Sequence, residues 1–129
     1  MPRKAKAYRR RPPRRVLVVD EDLQAAQGIA VLLKHLGHDV QVAHDGIAAL
    51  AAARSNNPQL VLLGLKLPGV DGYGVLQNLR LDERFSRAPI VAMARSGHED
   101  RERSRAAGFD EHVVKPIRLD ALRSLIERF

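Results

Sequence analysis

The sequence predicts an α/β fold, a parallel sheet of five short strands covered by helices on both faces. Two observations carry this reading. Nearly continuous apolar runs recur at Val16–Val19, Leu60–Leu63 and Ile90–Met93, as expected of strands buried on both sides. Between them lie segments whose apolar residues fall at helical spacing. Strands that alternate with helices imply right-handed crossovers and a parallel sheet.

Each element follows in order. Val16–Val19 is the first strand. Leu23 to Leu36 carries Ile29, Leu32, Leu33 and Leu36 on one helical face, and Gly37 supplies a stop. Val40 and Val42 alternate with polar neighbours, the pattern of a more exposed strand. Ile47–Arg54 is an alanine-rich helix closed by Ser55, Asn56, Asn57 and Pro58. Leu60–Leu63 is the third strand. Tyr73 to Leu81 is a helix with Val75, Leu76 and Leu79 inward, weakened at its start by Gly74. Pro89 introduces the fourth strand, Ile90–Met93. Glu99 to Ala107 is a very polar helix ended by Gly108. His112–Val114 is the fifth strand, and Leu119 to Phe129 closes the chain with Leu122, Leu125 and Ile126 inward. No internal repeat is visible.

At 129 residues the chain suits one domain, and a 45% hydrophobic fraction is ample for its core. The absence of cysteine excludes disulfides and thiolate zinc sites. No apolar run approaches the ~20 residues that a membrane-spanning helix needs, so no membrane span is expected and a cytoplasmic location is. The net charge of +7 is unevenly placed. Residues 1–15 hold eight basic side chains and no acid, which leaves 14 basic against 15 acidic residues in 16–129, a net of −1. The division expected is a disordered basic arm, 1–15, and a folded domain, 16–129. Three readings of the arm stand: a solvated tail or linker, nucleic-acid contact through Arg9, Arg10, Arg11, Arg14 and Arg15, or contact with an anionic membrane. Tyr8 is its only aromatic residue, thin support for base stacking.

Three segments at the carboxyl ends of strands share a pattern. Val16–Val19 runs into Asp20-Glu21-Asp22, Leu60–Leu63 into Gly64 and the loop Lys66-Leu67-Pro68-Gly69-Val70-Asp71-Gly72, and His112–Val114 into Lys115-Pro116. By themselves the three acids read equally as helix-entry charges. Together the segments resemble the receiver domain of two-component response regulators, over about residues 15–129. The resemblance implies a flavodoxin-like (βα)5 sheet of order 2-1-3-4-5, which puts Asp20, Glu21 and Gly64 at one crevice with Lys115 across it. It implies that Asp20 and Glu21 match the acidic pair that holds Mg²⁺, and that Lys115 matches the lysine that contacts the phosphoryl group.

The departures from the family pattern matter as much. Gly64 falls where the family places its phospho-acceptor aspartate, and a glycine cannot form an acyl phosphate. Ala94 falls where a threonine or serine hydroxyl is usual. His112 falls where tyrosine or phenylalanine often reports the switch, although by itself it reads as a surface histidine. Lys115-Pro116 matches a turn that is usually cis in the family, whereas trans is the default from sequence alone. The reading is a degenerate receiver-like module, not an enzyme. It is expected to require no cofactor, to bind Mg²⁺ weakly, and to act on a histidine kinase or another pathway protein. The face expected to do so is built from the fourth helix, fifth strand and fifth helix. Its rivals are a receiver phosphorylated on another acid, for which Asp20 is the candidate because Asp71 lies seven residues past Gly64 beyond a Pro-Gly turn, and a non-specific nucleic-acid-binding protein working through the arm.

Overall fold

The computed structural model describes residues 12–95 and 98–129, for 98–100 the backbone alone. The elements are β1 (Arg15–Val19), α1 (Leu23–His35), β2 (Asp39–Ala43), α2 (Gly46–Asn56), β3 (Leu60–Gly64), α3 (Gly72–Leu81), a 3-10 turn (Glu83–Phe85), β4 (Ile90–Ala94), α4 (His98–Ala107), β5 (Glu111–Val114) and α5 (Leu119–Arg128). The five strands form one parallel sheet of order β2-β1-β3-β4-β5. Register places Val19 beside Ala43 on one side and Leu63 on the other, so the carboxyl ends of β1 and β3 are neighbours.

Strand alternation sorts the core into two layers. Leu17, Val19, Val61, Leu63, Ile90, Ala92 and Ala94 face Ala49 and Ala53 of α2, Val75, Leu76 and Leu79 of α3, and Phe109. Val16, Val18, Leu60, Leu62, Val91 and Met93 face Ala26, Ile29 and Leu33 of α1 and Leu122, Leu125 and Ile126 of α5. All five residues of β3 and of β4 are buried, which explains why they read as unbroken apolar runs. At the sheet edge, β2 alternates exposed and half-covered residues.

Helix ends follow their caps. Asp22 accepts from the N–H groups of Gln24 and Ala25 at the start of α1, Asp45 from Ala48 at α2, and Asp71 from Gly74 at α3. Gly37 and Gly108 take φ of 96° and 112° just beyond α1 and α4, the left-handed conformation that favours glycine at a helix stop. Arg80 ties three elements together. Its guanidinium donates to the carbonyls of Phe85 and Ala88 at 3.0 and 2.7 Å and to Asp110 Oδ2 at 2.9 Å, and that same Oδ2 accepts the Ile90 N–H at 2.8 Å.

The basic segment meets the fold at its end. Arg15 opens β1, and its Nε donates to the Asn57 carbonyl at 3.0 Å. The Arg14 guanidinium donates to the Ile126 carbonyl and its backbone N–H to His38 Nδ1. Arg9, Arg10 and Arg11 lie outside the described residues.

Candidate functional site

The chain leaves β1 into Asp20, whose N–H bonds the Ala43 carbonyl at 3.1 Å and so continues the β1–β2 ladder by one residue. This holds the Asp20 side chain in the crevice at 1% exposure. Burying a carboxylate is costly unless it is paired and hydrogen-bonded, and both conditions are met. Lys115 Nζ donates to Oδ1 at 3.1 Å and to Oδ2 at 2.9 Å, and the Asp22 N–H donates to Oδ1 at 3.0 Å. The Lys115 N–H bonds the Ala94 carbonyl at 2.8 Å, which fixes its backbone at the end of β5, and the Lys115–Pro116 peptide is cis, the family's turn and not the default.

Gly64 ends β3 beside this pair. A Cβ placed there would lie 3.1 Å from the Val19 carbonyl oxygen and 3.7 Å from Asp20 Cα and from Leu67 Cδ2. Its φ is not in the left-handed region, so the backbone does not demand glycine. The crevice therefore admits a side chain at 64 with a small outward shift of β1. What the sequence supplies there is a hydrogen atom.

The remaining expected residues divide. Glu21 is more exposed, and its Oε2 lies 4.0 Å from Arg95 of the β4–α4 loop, at the limit of an ion pair. Asp22 is the helix cap that the bland reading of the acids anticipated. Asp71 is also a cap. Ala94 is buried at the end of β4. His112 corrects the surface reading: it is buried, and its Nδ1 lies 2.8 Å from the buried Ser104 hydroxyl of α4. It points there because it follows the first residue of β5, and pleat alternation aims it beneath α4. Ser104 is a site residue that sequence reasoning missed. Its only signal is its place as the lone small polar side chain in an otherwise charged turn of α4.

Tyr73 and Arg103 were missed as well. The Arg103 guanidinium stacks 4.1 Å over the Tyr73 ring, whose edge meets Phe109 at 5.8 Å between centroids. The two side chains share a cavity of about 550 Å³ with Glu21, Lys66 and Asp71 beside the crevice. They join α3 to α4 on the flank of the site.

The residues present fit a divalent cation poorly. Mg²⁺ asks for near-octahedral oxygen coordination. Here one carboxylate is engaged on both oxygens by an ammonium, the second faces a guanidinium, and position 64 has no side-chain oxygen to add. Among the described residues no cluster of three or more His, Cys, Asp or Glu side chains could hold a metal.

This sheet order, with paired acids after β1 and a lysine–cis-proline step after β5, is the architecture of a flavodoxin-like signalling receiver. The chain belongs to the response regulator receiver domain family, which it matches over residues 16–127. It is 34% identical over 119 residues to the DNA-binding dual master transcriptional regulator RpaA of Synechocystis, covering 88% of this chain and 49% of that protein. It is 40% identical over 105 residues to the DNA-binding response regulator MtrA of Mycolicibacterium smegmatis, covering 81% of this chain and 45% of that protein. The chain thus spans about half the length of these curated relatives. Among solved structures, the receiver domain of sensor histidine kinase PA1611 of Pseudomonas aeruginosa, with magnesium coordinated in its active-site cleft, superposes with a TM-score of 0.83 at 28% identity. That match covers 91% of this chain and 97% of the other. Among the described residues no helix is long and apolar enough to cross a membrane.

Proposed function

We propose that this chain is a degenerate receiver that signals by protein–protein contact without being phosphorylated. One observation carries the reading: the residue at the carboxyl end of β3, beside the Asp20–Lys115 pair, is Gly64. In-line attack on phosphorus needs a nucleophilic oxygen at that point, and glycine offers none. Lys115 would stabilise developing negative charge if it were available, but it chelates Asp20. Transfer to another acid finds little support, since Asp71 caps α3 and Asp20 is already paired. The chain is accordingly a binding module and not an enzyme.

Two further features support a fixed output face. Ala94 has no hydroxyl with which to draw the β4–α4 loop inward, and His112 is held by Ser104 beneath α4. The surface of α4, β5 and α5 then keeps one conformation, since a chain that accepts no phosphoryl group gains no contact that favours a second state. A histidine kinase or another two-component protein is the partner class, in the cytoplasm. Mg²⁺ binds weakly and is not required.

The test is intact-mass measurement after incubation with acetyl phosphate and Mg²⁺. No added phosphoryl group is expected on the chain, and Gly64→Asp serves as the comparison. A stoichiometric, base-labile phosphoryl adduct on the unaltered chain would overturn the proposal.

A further inference from the structure

On the face of the sheet covered by α1 and α5, a cavity of about 720 Å³ opens between α1 and the β5–α5 loop. Its floor is apolar. Ala25, Ile29 and Leu32 of α1 recur at the spacing of one helical face, and Ile117 of the loop meets them across the groove. Ile29 is buried, while Ala25, Leu32 and Ile117 are only half-buried, so apolar surface is left facing the opening. Gly28 borders the same groove, and a Cβ built on it would meet nothing within 4 Å. Its φ is not in the left-handed region. Glycine inside a helix is destabilising, and neither the backbone nor a packed neighbour requires it at 28. What it does is keep the groove open along α1.

Three charged residues border the groove: Asp22, Arg95 and Lys115. Two of them are committed. Asp22 Oδ1 accepts the N–H groups of Gln24 and Ala25, and Lys115 holds both oxygens of Asp20. Arg95 is not. Its side chain is 71% exposed, and among the described residues its one carboxylate within 4.0 Å is Glu21, at that limit. An exposed pair of this kind contributes little and exchanges readily. The cavity beside Tyr73 differs, because two acids and two bases, Glu21, Asp71, Lys66 and Arg103, border it together.

We infer that this groove binds a small amphipathic monocarboxylate, an organic acid whose apolar body lies on the floor and whose head pairs with Arg95. A volume within the ~300–1,000 Å³ of small-molecule sites, an apolar lining and few polar groups are the features of such a site. A guanidinium recognises a carboxylate through two parallel hydrogen bonds. A head with a single negative charge suits the place better than a dianionic phosphate, since Asp22 borders the groove and Glu21 stands beside Arg95. The inference does not rest on the phosphorylation reading. Gly64 does not border the groove, and Lys115, which belongs to both places, stays with Asp20.

The test titrates the isotope-labelled full chain with octanoate, octanol and octylamine, each below its micelle concentration, and follows the backbone amides by two-dimensional NMR. Octanoate should bind with shifts centred on Gly28, Ile29 and Ile117. From hexanoate to decanoate, each methylene that finds room in the groove should tighten binding by up to about fourfold. Gly28→Leu puts a side chain into the open groove and should weaken octanoate by about tenfold or more, because the ligand gives up its apolar contact. Gln27→Leu adds the same side chain at an exposed position of α1 that does not border the groove, and should leave the affinity unchanged. Arg95→Gln should weaken octanoate several-fold and leave octanol unaffected. Thermal unfolding of the variants confirms that they fold. Unchanged affinity in Gly28→Leu, or equal losses in Gly28→Leu and Gln27→Leu, would overturn the site, as would the absence of octanoate-induced shifts. Octanol or octylamine binding as tightly as octanoate would overturn the anionic head.

Discussion

Lys115 and Asp20 form a pair that closes on itself. An ammonium holding both oxygens of a buried carboxylate, with the Asp22 N–H on one of them, satisfies the two charges within the protein. On the reading proposed above, a carboxylate at 64 would add a ligand and compete with Asp20 for the lysine. Gly64→Asp should reverse part of that pairing by adding a carboxylate where the crevice has room for one. We expect Mg²⁺ to bind roughly tenfold more tightly to Gly64→Asp, equivalent to ~1.4 kcal/mol, as read by calorimetric titration. Equal affinity in both forms would show that the ends of β1 and β3 do not act on one ion. The convergence of Asp20, Gly64 and Lys115 was legible in sequence because each ends an apolar strand run, and the sheet order follows from the family resemblance. The burial of His112 was not legible. A short strand of four residues has too little alternation to say which side faces a helix, and its partner Ser104 lies in a segment whose charge hides any periodicity.

At the level of elements, the loops around the crevice are packed through glycines. A Cβ on Gly46, the first residue of α2, would sit 2.1 Å from the Val70 carbonyl oxygen, and one on Gly72, the first residue of α3, 2.3 Å from the Gly64 carbonyl oxygen. Both obstacles are backbone, so relief requires moving a helix or the β3–α3 loop. Gly28, within α1, has nothing within 4 Å of its would-be Cβ. Gly46→Ala and Gly72→Ala should each destabilise the domain by about 1–3 kcal/mol, in the range of overpacked cores. Gly28→Ala should stabilise it by ~0.5–1 kcal/mol through helix propensity and loss of unfolded-state freedom. Chemical denaturation of the three variants checks this, and a neutral Gly72→Ala would mean that the loop yields readily. The elements themselves were readable to within a residue or two, since apolar runs, caps and Gly37 and Gly108 mark their limits. The Arg80 clasp was not. It depends on where three loops meet, and a sequence shows an arginine on a helix without showing the carbonyls that gather around it.

On the scale of the whole molecule, charged side chains gather at the two ends of the strand axis. Asp20, Glu21, Asp22, Asp45, Asp71 and Asp120 lie at the carboxyl ends of the strands with Lys66, Arg95, Lys115 and Arg118, and Arg15, Lys34, Arg54, Arg87 and Arg105 lie at the other pole. The chain enters at that second pole through His38, which is buried and accepts the Arg14 N–H at Nδ1. Burial and the nearby Arg14 guanidinium push its pKa below the ordinary 6.5, and Asp39 opposes them weakly. A histidine whose proton is harder to hold when folded contributes stability that is fully present above its unfolded pKa. That contribution is lost as pH falls through the lower, folded value, because the unfolded chain takes up the proton first. The melting temperature should therefore decline from pH ~7 towards ~5, a window set by the unperturbed histidine value. In His38→Gln the decline should be shallower. The variant should melt lower at neutral pH, because it disturbs the bond to Arg14, and the two curves should converge in acid. His35, His44, His98 and His112 are common to both proteins, so the difference between the curves isolates position 38. Parallel curves would show that His38 stays neutral, or charged, equally in both states, and that the root of the basic segment does not sense pH.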